Sequence, residues 1–149
     1  MNTSNNKAMI LRDTKIDIKI ILSALWVTLM LFYIYADILG FYTPGIIEGV
    51  VSGEVGSMPI TQGFLFVMAI WMALPSLMVF LSLVLKASAN RWVNIITAIL
   101  SLAVLAATFL VGDISMRYAF QAIVEVLLIV AIIWQAWKWP QQQIVENTP

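Results

Sequence analysis

The chain has 149 residues, of which 62% are hydrophobic and 11% are charged, and eight basic side chains balance eight acidic ones. A soluble domain carries about 25% charged and 45–50% apolar residues, so this composition excludes an ordinary water-soluble globule and indicates a membrane protein. Cysteine and histidine are absent, which excludes disulfides, thiol chemistry and histidine-based metal or acid–base sites. A net charge of zero leaves no basic excess for binding nucleic acid.

Four stretches are long and apolar enough to cross a bilayer, which takes about 20 residues of helix. The first is too long for a signal-peptide core and is expected to remain as an anchor. The rest of residues 1–149 is too short for a second domain, so the sequence predicts one membrane domain with flexible ends at 1–12 and 141–149. The predicted fold class is all-α, an integral membrane four-helix bundle. The predicted spans are 18–41, 62–86, 91–111 and 117–139.

Residues with capping chemistry predict where the later spans begin and end. Asn90 is expected to cap the third span and Gly112 to end it. Asp113 or Ser115 is expected to cap the fourth span, and Pro140 to stop it.

Basic residues predict the orientation of the bundle. All but one of the lysines and arginines lie at the end that holds both termini, and Arg117 alone lies at the other end. The positive-inside rule therefore predicts that the N and C termini are cytoplasmic, in a multi-pass protein of a cell inner membrane.

The first outer loop, 42–61, is predicted to contain a short surface helix. Thr43-Pro44 is typical of a helix start, and apolar residues such as Ile46 and Val50 follow at helical spacing, which favours a helix lying on the membrane. This helix either only covers the bundle or acts as a lid.

Polar side chains at helical spacing are expected to face the bundle interior, because lipid-facing surfaces need no polar atoms. In the second and third spans, small and hydroxylated residues predict helix packing, and Pro75 predicts a kink in the second span. The polar or seam-forming residues are Ser23, Trp26, Met30, Tyr33 and Asp37 in the first span, Asn94, Thr97, Ser101 and Thr108 in the third, and Arg117, Gln121 and Glu125 in the fourth.

The two carboxylates inside the predicted spans require a specific explanation. A charged carboxylate near the bilayer centre costs about 2.5–3.5 kcal/mol on insertion scales, so each should be paired, hydrated or protonated. At about 1.5 Å of rise per residue, Glu125 falls at the depth of Tyr33, and Gln121 at the depth of Asp37. If the first and fourth spans are neighbours, these four residues form a polar pocket in the outer half of the bundle, with Arg117 at its mouth.

The pocket has three interpretations. The deeper Glu125 is expected to be protonated and Asp37, nearer to water and to Arg117, to be ionised, so the pair could bind a ligand, a proton or a cation. Alternatively, the polar residues form a structural network that fixes helix register. Catalysis is the third interpretation, but no catalytic motif is present, and we assign no catalytic residue, cofactor or metal site.

Several segments resemble a domain-of-unknown-function family of small bacterial four-helix membrane proteins. The stretch from Asp13 to Gly40, with Tyr-Ala-Asp at 35–37, resembles the opening of that family, and Ala-Asn-Arg-Trp at 89–92 resembles the start of its third helix. The likeness extends through the fourth span to Trp139. It implies the four-helix topology and draws attention to Asp37 and Glu125, without implying a role for them. In size and helix count the chain is also similar to the DoxX-like group.

The sequence favours a non-enzymatic inner-membrane protein that binds a small or lipid-like ligand or supports a membrane complex. The alternative is a small proton- or cation-coupled transporter, with Glu125 as the proton-binding group and Asp37 as an outer relay. Small multidrug transporters are similar in having four helices and a membrane carboxylate, although theirs lies on the first helix. The expected partners are the lipid bilayer, a small-molecule or lipid ligand and further copies of the chain.

Overall fold

The computed structural model describes residues 14–55, 58–109 and 115–139 of the chain. The predicted flexible ends, 1–12 and 141–149, lie outside the described residues, as do Gly112, Asp113 and Pro140. Five helices and one short antiparallel hairpin occupy the described part. In chain order they are α1 (Ile18–Phe41), α2 (Ile46–Ser52), β1 (Glu54–Val55), β2 (Met58–Pro59), α3 (Gln62–Val84), α4 (Ala87–Thr108) and α5 (Met116–Trp137).

Four of the helices, α1, α3, α4 and α5, are long and apolar enough to cross a membrane, with 22 to 24 residues each. The prediction of an all-α chain with four membrane-spanning helices is therefore confirmed, and the chain is a multi-pass membrane protein. The orientation of the termini stays a prediction.

The observed helix starts show which capping residues act as caps. Ser115 precedes α5 and its side chain accepts a hydrogen bond from the Tyr118 backbone. The prediction for Asn90 is wrong, because α4 begins at Ala87 and Asn90 already lies within its first turn. The Asn90 side chain is buried and donates to the Ser82 carbonyl of α3 instead of capping its own helix.

The four long helices pack as a closed bundle. α1 lies between α3 and α5, α5 also packs along α4, and α3 and α4 meet through a smaller contact. We call the end with the start of α1 and the end of α5 the terminal end, and the opposite end, which carries α2 and the hairpin, the loop end. Since α1 and α5 are neighbours, the polar residues that the sequence places on them can meet.

The packed core is centred on Trp26 of α1, which is fully buried. Its neighbours in the core come from every long helix, so it is the place where the whole bundle is joined. Dispersion contacts of this kind, rather than expulsion of water, hold helices together in lipid. The buried residues around Trp26 are Leu22, Leu29, Met78, Ile95, Ala98, Ile129, Ile132 and Ala136.

A buried hydrogen-bond network joins α1, α3 and α4 in the terminal half of the bundle. The Trp26 indole N–H donates to Asn94 Oδ1 at 2.7 Å, and the Ser82 hydroxyl donates to the same oxygen at 3.2 Å. Asn94 Nδ2 in turn donates to Asn90 Oδ1 at 2.6 Å. Each buried amide therefore has partners, which is the condition for a polar network to stabilise rather than destabilise a helix bundle.

Cationic side chains gather at the terminal end. Lys19 Nζ donates to the Leu83 and Leu85 carbonyls at 3.2 and 2.8 Å, where α3 ends, and a cation is favourable beside a helix C-terminus. The Arg91 guanidinium lies 4.9 Å from the ring centroid of Trp137 on α5. These contacts tie α1 to α3 and α4 to α5 at this end.

The short helix α2 begins later than the sequence predicts. Thr43-Pro44 forms a turn, and Gly45, with a φ of 86°, precedes the first helical residue, Ile46. A left-handed residue at 45 interrupts any helix that begins at Pro44, so the predicted start is wrong by two residues. Gly53, with a φ of 87°, ends α2, as glycine commonly does. That α2 lies on the membrane surface stays a prediction.

We predict that Asn94→Ala lowers the free energy of unfolding by about 1–3 kcal/mol, because the buried Trp26 indole and Asn90 amide then lose partners. The measurement is reversible unfolding of the purified protein in detergent micelles, followed by circular dichroism. Thr28→Ala is the control, since the exposed Thr28 hydroxyl bonds only to Ala24 in its own helix. Equal stability of the two variants would contradict the assigned role of the network.

Candidate functional site

Polar side chains on the facing surfaces of α1 and α5 meet in the loop half of the bundle. Tyr33 and Asp37 are four residues apart on α1, and Arg117, Gln121 and Glu125 follow at steps of four on α5. Residues four apart share one face of a helix, and α1 and α5 are packed together. The five candidate residues consequently lie around one space.

That space is a cavity of about 600 Å³ at the loop end, and all five candidate residues line it. Its walls come from the four long helices, and its roof comes from α2 and the hairpin. The volume lies in the range of small-molecule sites, about 300–1,000 Å³. The apolar side chains of the wall include Phe32, Phe41, Leu65, Trp71, Met72, Val104 and Leu105.

The deepest polar contact in the cavity joins α1 to α5. The Tyr33 hydroxyl donates to Glu125 Oε1 at 2.6 Å, and both side chains are half-buried. These are the two residues that the helical rise places at equal depth. A buried polar group left without a partner is costly, so this contact favours one rotation of α5 relative to α1.

The outer polar contacts of the cavity involve Arg117 and Gln121. Arg117 Nη1 donates to Gln121 Oε1 at 2.9 Å and to the Ala36 carbonyl at 3.4 Å. Gln121 therefore contacts Arg117 on its own helix rather than Asp37. Among the described residues, the Asp37 carboxylate has no hydrogen-bond or ion-pair partner, so it is available to bind a donor or a cation in the cavity.

The roof of the cavity is the inner face of α2. Ile46 and Val50 line the cavity, whereas Ile47 and Val51 are 55% and 83% exposed. The apolar pattern of this segment predicted both pairs without showing which faces the bundle. α2 therefore contributes Ile46 and Val50 to the loop-end side of the cavity.

Tyr118 is a wall residue that the sequence patterns did not identify. Its hydroxyl forms a hydrogen bond with the Thr108 hydroxyl, which joins α5 to α4 beside the cavity. Its ring packs on Phe109 with centroids 5.1 Å apart. No periodicity indicates this contact, because it depends on how the end of α4 meets the start of α5.

Residues 9–146 match the family of unknown function DUF6326. The chain belongs to DUF6326. The match includes all of the described helices and therefore the whole cavity. No curated protein and no solved structure matches the chain, and the similarity to the DoxX-like group stays a prediction.

The cavity of this DUF6326 protein has apolar walls. Its polar groups are carboxylates, phenol hydroxyls, an amide and a guanidinium. In the described part of the chain, no group of three or more carboxylate side chains is placed to hold a metal ion. Asp37 and Glu125 can accept hydrogen bonds or attract a cation, and the aromatic walls can contact the apolar part of a ligand.

The contact between Tyr33 and Glu125 gives a direct test of the site geometry. We expect Tyr33→Phe and Glu125→Gln each to lower the free energy of unfolding, and the double variant to show a coupling energy of about 0.5–3 kcal/mol. Unfolding of the four proteins in detergent measures this cycle. Tyr35→Phe is the matched control, because Tyr35 is 64% exposed on the opposite side of α1. Additive effects of the two substitutions would show that the residues do not interact.

Proposed function

We propose that this protein is a non-enzymatic, multi-pass inner-membrane protein that binds a small amphipathic molecule with a positively charged end. The observation that carries the proposal is the cavity of about 600 Å³ among the four long helices, with apolar walls and an unpaired carboxylate, Asp37. A mostly apolar cavity with a few placed polar groups is the usual form of a ligand site.

A cationic end on the ligand would be attracted to Asp37. Glu125 is bonded to Tyr33, and the guanidinium of Arg117 is bonded to Gln121 and to a backbone carbonyl, so Asp37 is the carboxylate left open to the cavity. A cation near Asp37 would pair with a carboxylate that is exposed and has no partner among the described residues. The rings of Phe32 and Trp71 line the same space and are suited to contact with an organic cation.

The proposed topology follows from the charges at the two ends of the bundle. Lys19, Lys86, Arg91 and Lys138 all belong to the terminal end, which the positive-inside rule assigns to the cytoplasm. The cavity and α2 then face the outer side of the membrane. In this arrangement α2 is a lid between the cavity and the outer aqueous phase.

Tetraphenylphosphonium, a rigid lipophilic cation, is a suitable probe of the proposal. We expect saturable binding to the protein in lipid nanodiscs, measured by equilibrium dialysis, and an affinity about tenfold lower in Asp37→Asn, because the unpaired carboxylate is lost. Glu48→Gln is the control, since the exposed Glu48 lies on α2 and does not line the cavity. Absence of saturable binding, or an equal loss in both variants, would overturn the proposal.

Coupled transport is the second candidate function. The favouring observation is that two carboxylates lie in one cavity, Glu125 bonded to Tyr33 and Asp37 without a described partner. Glu125 would then carry the proton and Asp37 would be the outer relay, in an assembly of several copies of the chain, since four helices rarely enclose a complete pathway.

Liposomes with an imposed pH gradient test this second function. If the protein couples a cation to protons, tetraphenylphosphonium should change the internal pH of wild-type liposomes, and Glu125→Gln should abolish the change because the proton-binding carboxyl is lost. Glu48→Gln should behave as wild type. A wild type that binds the cation but leaves the internal pH unchanged would favour binding without transport.

A further inference from the structure

Tryptophan rings hold two cationic side chains where the start of α4 meets the end of α5. The Arg91 guanidinium lies 4.9 Å from the ring centroid of Trp137 and 5.9 Å from that of Trp92. Lys138 Nζ lies 4.0 Å from the ring centroid of Trp134. We call these five residues the cation–tryptophan cluster. Trp134, Trp137 and Lys138 fall within one turn at the end of α5, so both cations lie beside the same turn of helix.

Neither cation of the cluster is paired with a carboxylate in the described part of the chain. Arg91 Nε is buried and has no hydrogen-bond partner. At the terminal end, Asp17 is the only carboxylate among the described residues, and it accepts a hydrogen bond from the Lys19 backbone N–H as the cap of α1. A tryptophan ring attracts a cation without neutralising it, so the cluster presents two positive charges to which an anion can bind.

The surroundings of the cluster are those of a lipid headgroup region. Trp92, Trp134 and Trp137 are each more than half exposed, and they lie at the ends of two membrane-spanning helices. Tryptophan is enriched at this depth, because its ring is apolar and its N–H is polar. Lipid phosphates lie at the same depth, so the phosphate of a phospholipid is the anion placed to meet Arg91 and Lys138.

We propose that the cation–tryptophan cluster binds the headgroup of an anionic phospholipid. Arg91 and Lys138 pair with its negative charges, and the exposed indole rings contact its glycerol and the start of its acyl chains. A guanidinium can donate two parallel hydrogen bonds to one phosphate, and basic sites between membrane-spanning helices are suited to anionic headgroups. A zwitterionic headgroup brings an ammonium group towards the two cations, so a lipid with a net negative charge is favoured. The site lies at the opposite end of the bundle from the cavity and is independent of the ligand proposed there.

Native mass spectrometry of the purified protein in detergent micelles, with lipid titrated in, tests this assignment. The probes are phosphatidylglycerol and phosphatidylcholine with identical acyl chains. We expect the wild type to bind phosphatidylglycerol about tenfold more tightly than phosphatidylcholine, since only the former has a net negative charge. Arg91→Gln and Lys138→Gln should each lower the affinity for phosphatidylglycerol about fivefold, because each removes one cation beside the headgroup. Lys138 is exposed, so Lys138→Gln tests the site even if Arg91→Gln does not fold.

The matched control is Lys15→Gln, because Lys15 is an exposed cation at the same end and contacts no tryptophan ring in the described part of the chain. This variant should bind phosphatidylglycerol as the wild type does. An equal loss in Lys15→Gln would mean that the total charge of this end governs binding, and would overturn the proposal. Equal affinity of the wild type for the two lipids would also overturn it. Displacement of the lipid by millimolar inorganic phosphate would identify a site for a soluble anion instead, with the same consequence.

Discussion

The contact between α1 and α5 is the constraint on which the site depends. The Tyr33 hydroxyl and Glu125 carboxyl meet at 2.6 Å within the membrane-spanning segments, where an unpaired polar group has no bulk water to bind. This hydrogen bond sets the rotation of both helices. Once it is made, Asp37 one turn further along α1 and Gln121 one turn earlier on α5 must face the same cavity. The hydrogen bond thus joins the faces of α1 and α5 that line the cavity, whose other walls come from α3 and α4.

The two polar regions of the bundle differ in how their side chains are paired. In the terminal half, Trp26, Asn90 and Asn94 are buried and joined by hydrogen bonds, so these three side chains use their polar groups for packing. In the loop half, the polar groups surround a cavity, and Asp37 has no partner among the described residues.

Much of the architecture could be predicted from the sequence, because the length and polarity of a membrane span are local properties. The spacing of Tyr33 and Asp37, and of Gln121 and Glu125, was also sufficient to predict which faces of α1 and α5 are polar. The partners could not be predicted in full. Gln121 bonds to Arg117, because residues four apart lie one turn from each other on the same helix face. Asn90 bonds to α3 instead of capping α4, and Tyr118 meets Thr108, because both contacts depend on how distant segments pack.

Thiol accessibility tests the central claim, a cavity beneath α2 that small molecules can enter, most directly, because the chain contains no cysteine. Ala36 lines the cavity, whereas Ile38 is nearer the end of α1 but is 45% exposed on its lipid-facing side. The account predicts that Ala36→Cys in nanodiscs reacts with a small water-soluble methanethiosulfonate faster than Ile38→Cys does, although it lies deeper. Faster reaction at position 38 would mean that depth alone governs access, and would contradict the cavity on which the proposed function rests.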